Sequence, residues 1–476
     1  MAVTKLVDIE RIMEKARNAA AVFSQLSQEH TDRIVRAVYE AAFNDRVRLS
    51  KMAAEETGMG KWQDKVLKTV LATQIAYEDI KDRKTVGILS ENTVKGITKI
   101  AQPVGPILAF VPVTSPTSAI IFKILVAMKT RNPVIISSNA RAMKCGEEAA
   151  RICYEAALRE DAPEDCVQWV SLSREQRRSF MGHKNVRLIH ATGVRKIVEE
   201  AYSSGTPALG VTAGNVPVFI EDSADVPFAV NEIMLSKTFD NGTIGASEQA
   251  VVVMHEKVRE IIKEFKQLGG HVLTREEVKK LGEIAVDRQK RTTSVQVLGQ
   301  PASVIAERAG IDVPEGVKLL IAPLEEVGPH VPLSGQVLAP ILGLYTIHNF
   351  DSAVNLCIDL ISHGGAGHTA SIFSNDDEKV MRFAAIMNTG RVLVNTPSSH
   401  GSLGFMYNML TPSMSPGCGT AAKTTTTDNI SVEHYLNIQR IARRRVDGRW
   451  EHFDMNEYFD ETLDAKTLEK EFNRDF

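Results

Sequence analysis

Residues 107–136 read ILAFVPVTSPTSAIIFKILVAMKTRNPVII. Ile107 to Val111 and Val134 to Ile136 are apolar at every position, and between them Ser118 to Lys129 has the length and composition of a helix. A strand with one face in water alternates apolar and polar residues, so an unbroken apolar run of strand length belongs to a sheet covered on both faces. Strand, helix and strand in that order make a parallel pair joined by a crossover. This stretch decides for a doubly wound α/β fold.

The same pattern extends in both directions. Val167 to Val170 and Val186 to Ile189 are further strands, and Glu147 to Leu158 is a further helix. Upstream, Ile9, Ile12, Met13, Ala16, Ala19, Ala20 and Phe23 return every three or four positions, which is one buried helical face, and a second helix runs from Ile34 to Ala42. Past Asp222 a second series begins, with strands expected at Ala250 to Met254, Val317 to Ala322, Val337 to Tyr345, Ala370 to Phe373 and Arg391 to Asn395. Helices are expected at Glu256 to Leu268 and Asp351 to Ile361. The chain reads as two α/β domains.

Composition agrees with a globular chain of this size. Of 476 residues 43% are hydrophobic and 24% charged, with a formal net charge of -3, which excludes disordered, collagenous and disulfide-scaffold classes. A pI of about 6.5 offers no overall attraction to nucleic acid. Cys145, Cys153, Cys166, Cys357 and Cys418 lack paired spacing, so free thiols and a cytoplasmic location are expected. Lys5, Asp8, Glu10 and Arg11 leave no apolar centre for a secretory signal, so the mature chain is expected to begin at this end. Val104 to Val113 and Ala119 to Met128 fall short of a membrane span, and Lys123 interrupts the second.

Residue chemistry alone goes a limited distance. The glycines of His363-Gly364-Gly365-Ala366-Gly367-His368 follow an expected helix and precede a strand, the reverse of a phosphate loop. No histidine or carboxylate accompanies His363 or His368 at metal-ligand spacing, so no metal is expected. Ala191-Thr192-Gly193 is better placed, because it ends one expected strand and leads into a helix from Val194 to Tyr202, where nucleotides bind in open α/β sheets. Met414 to Asp428 is turn-rich and polar, as an arm crossing to a neighbouring subunit is. After Arg443-Arg444-Arg445, nine acidic and three basic residues occupy Glu451 to Phe476, punctuated by Phe453, Tyr458, Phe459, Phe472 and Phe476. This end is either a solvated, partly helical tail or a docking peptide for a protein partner.

The segment Phe239-Asp240-Asn241-Gly242-Thr243-Ile244-Gly245-Ala246-Ser247-Glu248-Gln249 resembles the active-site segment of the CoA-acylating aldehyde dehydrogenases. It is most similar to the aldehyde dehydrogenase half of the bifunctional aldehyde/alcohol dehydrogenases. Pro103-Val104-Gly105 through Ser118, Lys129-Thr130-Arg131-Asn132, Ala201 to Gly205, Gly367-His368-Thr369, Thr389 to Pro397 and Gly417-Cys418-Gly419 resemble the same family in the same order. The resemblance covers about residues 10–445, and the acidic tail stands where the alcohol dehydrogenase half would follow.

That resemblance implies oxidation of a small aldehyde by NAD or NADP with transfer of the acyl group to coenzyme A, or the reverse. It needs a thiolate nucleophile, donors for an oxyanion and a nicotinamide face. The nucleophilic cysteine's place is occupied by Gly245, the oxyanion asparagine's by Ser115, and the nicotinamide-ribose glutamate's by Gln336, while His368 matches. The implied cofactor residues are Thr114, Ser137, Arg141, Thr192, Gly193, Val194, Gly210 and Gln336. Val194, Arg195 and Lys196 stand where relatives carry more glycine, and Arg141 is placed to meet the adenosine ribose or a 2′-phosphate.

Three explanations of Gly245 follow: an altered or lost activity, a substitution that disables an active enzyme, or a surrogate nucleophile among Thr243, Ser247 and Cys418. The competing class is a non-catalytic nucleotide- or CoA-binding subunit that assembles with an active relative. The expected architecture is an aldehyde dehydrogenase fold with a Rossmann-like cofactor domain over 1–234 and a catalytic-type domain over 235–411. An oligomerisation hairpin at about 93–102 is expected to pair with an arm over 412–445, followed by the tail over 446–476. A homo-oligomer, dimer or larger, is expected, because lone strands would leave sheet edges open.

Overall fold

The computed structural model describes residues 7–287, 289, 292–444 and 454–473. The chain divides into two units, of which the larger comprises residues through 83 and 103–436. It holds two parallel sheets.

The first has five strands in the order Val167–Val170, Val134–Ser137, Ile107–Phe110, Leu188–Thr192, Ala208–Val211. Every neighbouring pair is parallel, with Ile107 opposite both Val134 and Leu188. Its apolar runs are continuous because each face has its own core. Ile107, Ala109 and Ile136 pack with the helices Gln28–Asn44, Pro116–Lys129 and Met143–Arg159. Leu108, Phe110, Ile135 and Ile189 pack with Ile9–Phe23, Arg174–Met181 and Arg195–Tyr202. Full burial of such a side chain is worth about 1.5–3 kcal/mol, so a polar residue on either face would forfeit that contribution.

The second sheet has seven strands in the order Gly270–Val272, Leu319–Pro323, Ile341–Ile347, Glu248–Met254, Val216–Ile220, Gly367–Phe373, Thr389–Val394. All of its pairs are parallel. It too is covered twice, with Val252 and Tyr345 facing one core and Val251, Val253 and Leu344 the other.

The expected domain boundary near 234 requires correction. Val216–Ile220 already belongs to the second sheet, and the helix Val226–Thr238, in which residue 234 lies, packs Val230 and Ile233 against Val218 and Val251. The chain changes sheets across residues 212–215. An apolar run tells that a strand is buried but not which sheet it joins. Strand ends also shift by a few residues: the strand expected from Val337 begins at Ile341, the one from Val186 at Leu188, the one from Val317 at Leu319, the one from Ala250 at Glu248, the one from Arg391 at Thr389 and the one from Ala370 at Gly367.

The smaller unit comprises residues 84–102 and 437 onward. Gly87–Asn92 and Ile97–Pro103 form an antiparallel hairpin, and Leu436–Ala442 lies beside the second strand. The hairpin is therefore longer than the expected 93–102, whose first residues form the turn. Gly87–Asn92 is exposed at almost every position and carries no apolar alternation, so the sequence pattern does not mark it as a strand. In the tail, Ala465–Asn473 is a helix with no buried residue. Arg445, residues 446–453 and 474–476, Phe453 and Phe476 among them, lie outside the described residues. Among the described residues no helix is long and apolar enough to cross a membrane.

Candidate active site

The central strand of the first sheet, Ile107–Phe110, has Val134–Ser137 on one side and Leu188–Thr192 on the other. Connections leaving in opposite directions open a crevice beyond the strands' carboxyl ends, the usual nucleotide position in such sheets. Ser137 and Thr192 are the last residues of these adjacent strands, and Arg141, Gly193 and Val194 follow their carboxyl ends. Gly193 has φ 124°, and an added Cβ would stand 3.3 Å from Pro112 Cβ. Val194 is the N-cap of Arg195–Tyr202 and supplies no side-chain cap; the Ile197 amide donates to the Val194 carbonyl at 2.9 Å, and the Arg195 and Lys196 amides, which precede it, are left to a ligand or to water.

Lys123, fully buried, donates to the carbonyls of Phe110 at 2.6 Å and His190 at 3.1 Å and to Thr192 Oγ1 at 3.0 Å, gathering these strand ends together. Burial alone pushes its pKa far down. Arg141 Nη2 donates to the Thr57 carbonyl at 3.3 Å. Gly210 is explained by packing: an added Cβ would lie 2.5 Å from Val198 Cγ1 and 2.7 Å from the Tyr202 ring.

The chemical side begins where Val226–Thr238 ends. Asp240 (φ 48°) and Asn241 (φ 52°) both adopt left-handed backbone, costing most residues about 1–2 kcal/mol each and Asp or Asn less. Polar contacts hold this turn. Asp240 Oδ1 accepts from the Lys61 amide at 2.8 Å; its Oδ2 accepts from Lys65 Nζ at 3.0 Å, from Thr243 Oγ1 at 2.7 Å and from Lys68 Nζ. The Asp240 amide donates to Asp64 Oδ2 at 2.7 Å, and Asn241 Nδ2 to the Gly299 carbonyl at 2.9 Å.

Two buried lysines thus share one fully buried carboxylate. Burial works to raise the Asp240 pKa, but attraction to Lys68 and then Lys65 outweighs it, and the carboxyl stays below its ordinary value. Burial lowers Lys68 to about 8, with Asp240 opposing the shift. Lys68 Nζ also reaches Ser115 Oγ at 3.2 Å, Thr243 Oγ1 at 3.0 Å and the Thr114 carbonyl at 3.3 Å. Ser115 and the 240–243 turn are consequently fixed to the same ammonium group.

Gly245 follows. A Cβ built there would meet, apart from its chain neighbours, only His368 Nε2, at 3.8 Å. Its backbone lies outside the left-handed region, so a side chain would carry no conformational penalty. Gln336 Nε2 donates to the Gly245 carbonyl at 3.1 Å, which puts Gln336 beside the expected nucleophile seat. His368 Nδ1 lies 3.0 Å from Thr369 Oγ1, and Arg391 Nη1 donates to the His368 carbonyl at 2.9 Å. Gly214, in the segment that joins the two sheets, leaves room for the imidazole: a Cβ there would stand 2.6 Å from its Cγ. Burial, with Arg391 adding to it, takes the His368 pKa down to about 3.

None of the three nominal surrogates is a free nucleophile. Thr243 Oγ1 donates to Asp240 while accepting from Lys68. Ser247, fully buried, accepts from Gln249 Nε2 at 3.2 Å. Cys418 is 1% exposed, and burial raises its pKa. The structure thus brings Gly245, His368 and Gln336 together and links Ser115 to their segment through Lys68. Gly364 and Gly365 end the helix Phe350–Gly364 and pack on Asn215, with an added Cβ at 365 standing 2.4 Å from the Asn215 amide nitrogen. Among the described residues no group of three or more His, Cys, Asp or Glu is placed to hold a metal.

Sequence reasoning missed Lys65, Lys68, Gly214 and the part played by Arg391. Lys65 and Lys68 stand three apart on one helical face with Thr69, all buried, but lysines at that spacing usually form a solvated stripe.

The sequence profile described as the Aldehyde dehydrogenase family matches residues 2–294. The chain belongs to the aldehyde dehydrogenase family. It is 39% identical over 464 residues to the bifunctional aldehyde-alcohol dehydrogenase AdhE of Escherichia coli (strain K12), covering 96% of this chain and 52% of that protein. The chain therefore spans about half the length of such curated relatives. A succinate-semialdehyde dehydrogenase (acetylating) of Clostridium kluyveri is 31% identical over 91% of this chain and 95% of its own. Among solved structures, an acetylating aldehyde dehydrogenase from Geobacillus thermoglucosidasius superposes with a TM-score of 0.90 at 39% identity, covering 92% of this chain and 97% of that one. The α/β fold and the family relationship expected from the sequence both hold.

Proposed function

We propose that this family member works on the substrates of acylating aldehyde dehydrogenases, a small aldehyde or its acyl-CoA with NAD or NADP, and forms no cysteine thioester of its own. The observation that carries this reading is the seat at Gly245, open toward His368 Nε2 and lacking a side chain. Deleting a nucleophile removes the covalent path and not merely some binding energy.

The dinucleotide fits the first sheet's crevice through the uncapped amides after Val194 and the Gly193 turn, whose positive φ only glycine adopts freely. When bound it supplies a hydride acceptor. Ser137, Arg141, Thr192, Gly193 and Val194 would hold it, with Arg195 and Lys196 adding positive charge and Thr114 and Gln336 on the chemical side. Ser115, in place of an asparagine, accepts from Lys68 and keeps its own proton to donate toward an oxyanion. His368, neutral at ordinary pH, offers a hydrogen bond without a charge.

Isothermal titration with NAD and with NADP should give weakened but measurable binding, and a preference for NADP would favour Arg141 or Arg195 as the phosphate partner. A steady-state assay with short aldehydes and CoA should give far less NAD(P)H than an acylating relative. No binding of either dinucleotide, or normal turnover, would overturn the reading. The second reading, a nucleotide- or CoA-binding subunit of a larger assembly, draws on the exposed strand Gly87–Asn92 and the tail helix Ala465–Asn473, which has no buried residue. On either reading light scattering should report at least a homodimer; a monomer at micromolar concentration would contradict it. Copurification with an active relative only while residues 454–473 are present would favour the subunit reading.

A further inference from the structure

The hydroxyl and thiol candidates for a nucleophile near this segment are committed elsewhere. Thr243 is held between Asp240 and Lys68, Ser247 is buried under Gln249, and Ser115 Oγ receives Lys68 Nζ. All five cysteines are free and buried. Burial pushes the thiols of Cys153 and Cys166 up to about 12 and raises those of Cys145, Cys357 and Cys418 as well, so none is a thiolate at neutral pH. At Gly245, by contrast, there is room for one small group, His368 Nε2 3.8 Å from where a Cβ would be, and a backbone carbonyl already taken by Gln336. The glycine has no steric reason to be glycine: its φ is ordinary and its Cβ would touch nothing tightly. That differs from Gly214, Gly210 and Gly365, each of which has a neighbour within 2.6 Å of an added Cβ.

We propose that this space is a seat for the thiol of a non-covalently bound substrate, so that a coenzyme A-type thiol adds to the aldehyde directly and the resulting thiohemiacetal is what the site oxidises. The proposal rests on the acylating reading above and replaces its covalent step. The thiol sulfur forms the new bond to the carbonyl carbon while the thiol proton passes to the carbonyl oxygen. His368 Nε2 and the Ser115 hydroxyl are the polar groups available to steady that oxygen. The carbon then loses a hydride to the nicotinamide of NAD(P)+, which is reduced by two electrons. The hydroxyl proton leaves to water, and the product is the thioester itself. Atoms balance as aldehyde plus thiol plus NAD(P)+ giving thioester plus NAD(P)H plus a proton. No enzyme-bound acyl group intervenes, so the reaction is sequential where a cysteine enzyme of this class alternates between two forms.

Two experiments test it on the full chain. In the first, the S-propyl thioether of coenzyme A is titrated calorimetrically into the protein and into Gly245→Val and Gly245→Cys. A thiol seat predicts at least tenfold weaker binding to both variants, because their side chains fill the volume that the sulfur needs; equal affinity for all three overturns the proposal. In the second, NAD(P)H formation from propionaldehyde is followed without thiol, with CoA and with glutathione. The expected result is no product without thiol and product with CoA, and product with glutathione would widen the accepted class to any small thiol. If the protein is silent with every thiol while Gly245→Cys turns over with CoA, the thiol seat is wrong and the acylating reading survives. If both are silent, the acylating reading fails and this proposal with it. Product without any thiol would point to an internal nucleophile and overturn the proposal.

Discussion

Asp240 and Gly245 lie five residues apart in one buried segment and are built in opposite ways. Asp240 sits in a left-handed conformation, receives two lysine ammonium groups, a threonine hydroxyl and a backbone amide, and has no exposed surface. Gly245 has ordinary backbone, open space and one neighbour at van der Waals distance. The lysines and the turn cost desolvation and conformational energy, which the network offsets only while it is complete. Such a framework fixes where residue 245 stands, whatever side chain that residue has. Support and reactive group are thus separable here, and the support is intact.

Removing the carboxylate should have the largest effect on this contrast. Asp240→Asn tolerates the left-handed turn but leaves Lys65 and Lys68 buried without an anion, and should lose about 3–5 kcal/mol in urea unfolding. A loss under about 1 kcal/mol would mean that the ammonium groups find water and that the turn is held by backbone alone.

His368 sharpens the contrast through pH. Its folded pKa of about 3 lies below the unfolded 6.5, so the unfolded chain binds the extra proton as pH falls. The stability that the neutral ring contributes is complete above about pH 6.5 and is lost progressively down to about pH 3, at no more than about 1.4 kcal/mol per pH unit. His400, lowered to about 4 by burial, adds a similar slope over a narrower window. Melting temperatures measured from pH 7 to pH 4 should fall less steeply for His368→Gln than for the parent. Parallel profiles would place the imidazole in contact with water.

Glycine substitutions test the other half of the comparison. Gly365→Ala forces a methyl group against the Asn215 backbone and should cost about 1–3 kcal/mol. Gly245→Ala should stay within about 0.5 kcal/mol or stabilise slightly, since it restricts the unfolded chain without meeting a neighbour. Equal destabilisation by the two would mean that the seat at Gly245 is closed in solution.

Much of this architecture was legible in the sequence because strands covered on both faces are predominantly apolar, and Ile107 to Val111 and Val134 to Ile136 are apolar at every position. The helix expected at Ile9 to Phe23 spans those same residues, because its apolar spacing and the Asp8 cap define both ends. The sheet change at 212–215 was not legible, since the strands on either side of it differ in no local property: Ala208–Val211 and Val216–Ile220 are both short, apolar and wholly buried. In the site, family resemblance singled out Gly245, Ser115, His368 and Gln336, whereas Lys65 and Lys68 were hidden. Their meaning depends on Asp240, 175 and 172 positions away in the chain, and no spacing rule reaches that far.

The most direct measurement is the intact mass of the protein after incubation with propionyl-CoA. The parent chain should gain no acyl mass, while Gly245→Cys should gain one propionyl group, carried by the peptide that contains residue 245. A propionylated parent chain, modified at any side chain of the 239–249 segment or at Ser115, would contradict the claim that this site holds its substrates without a nucleophile of its own.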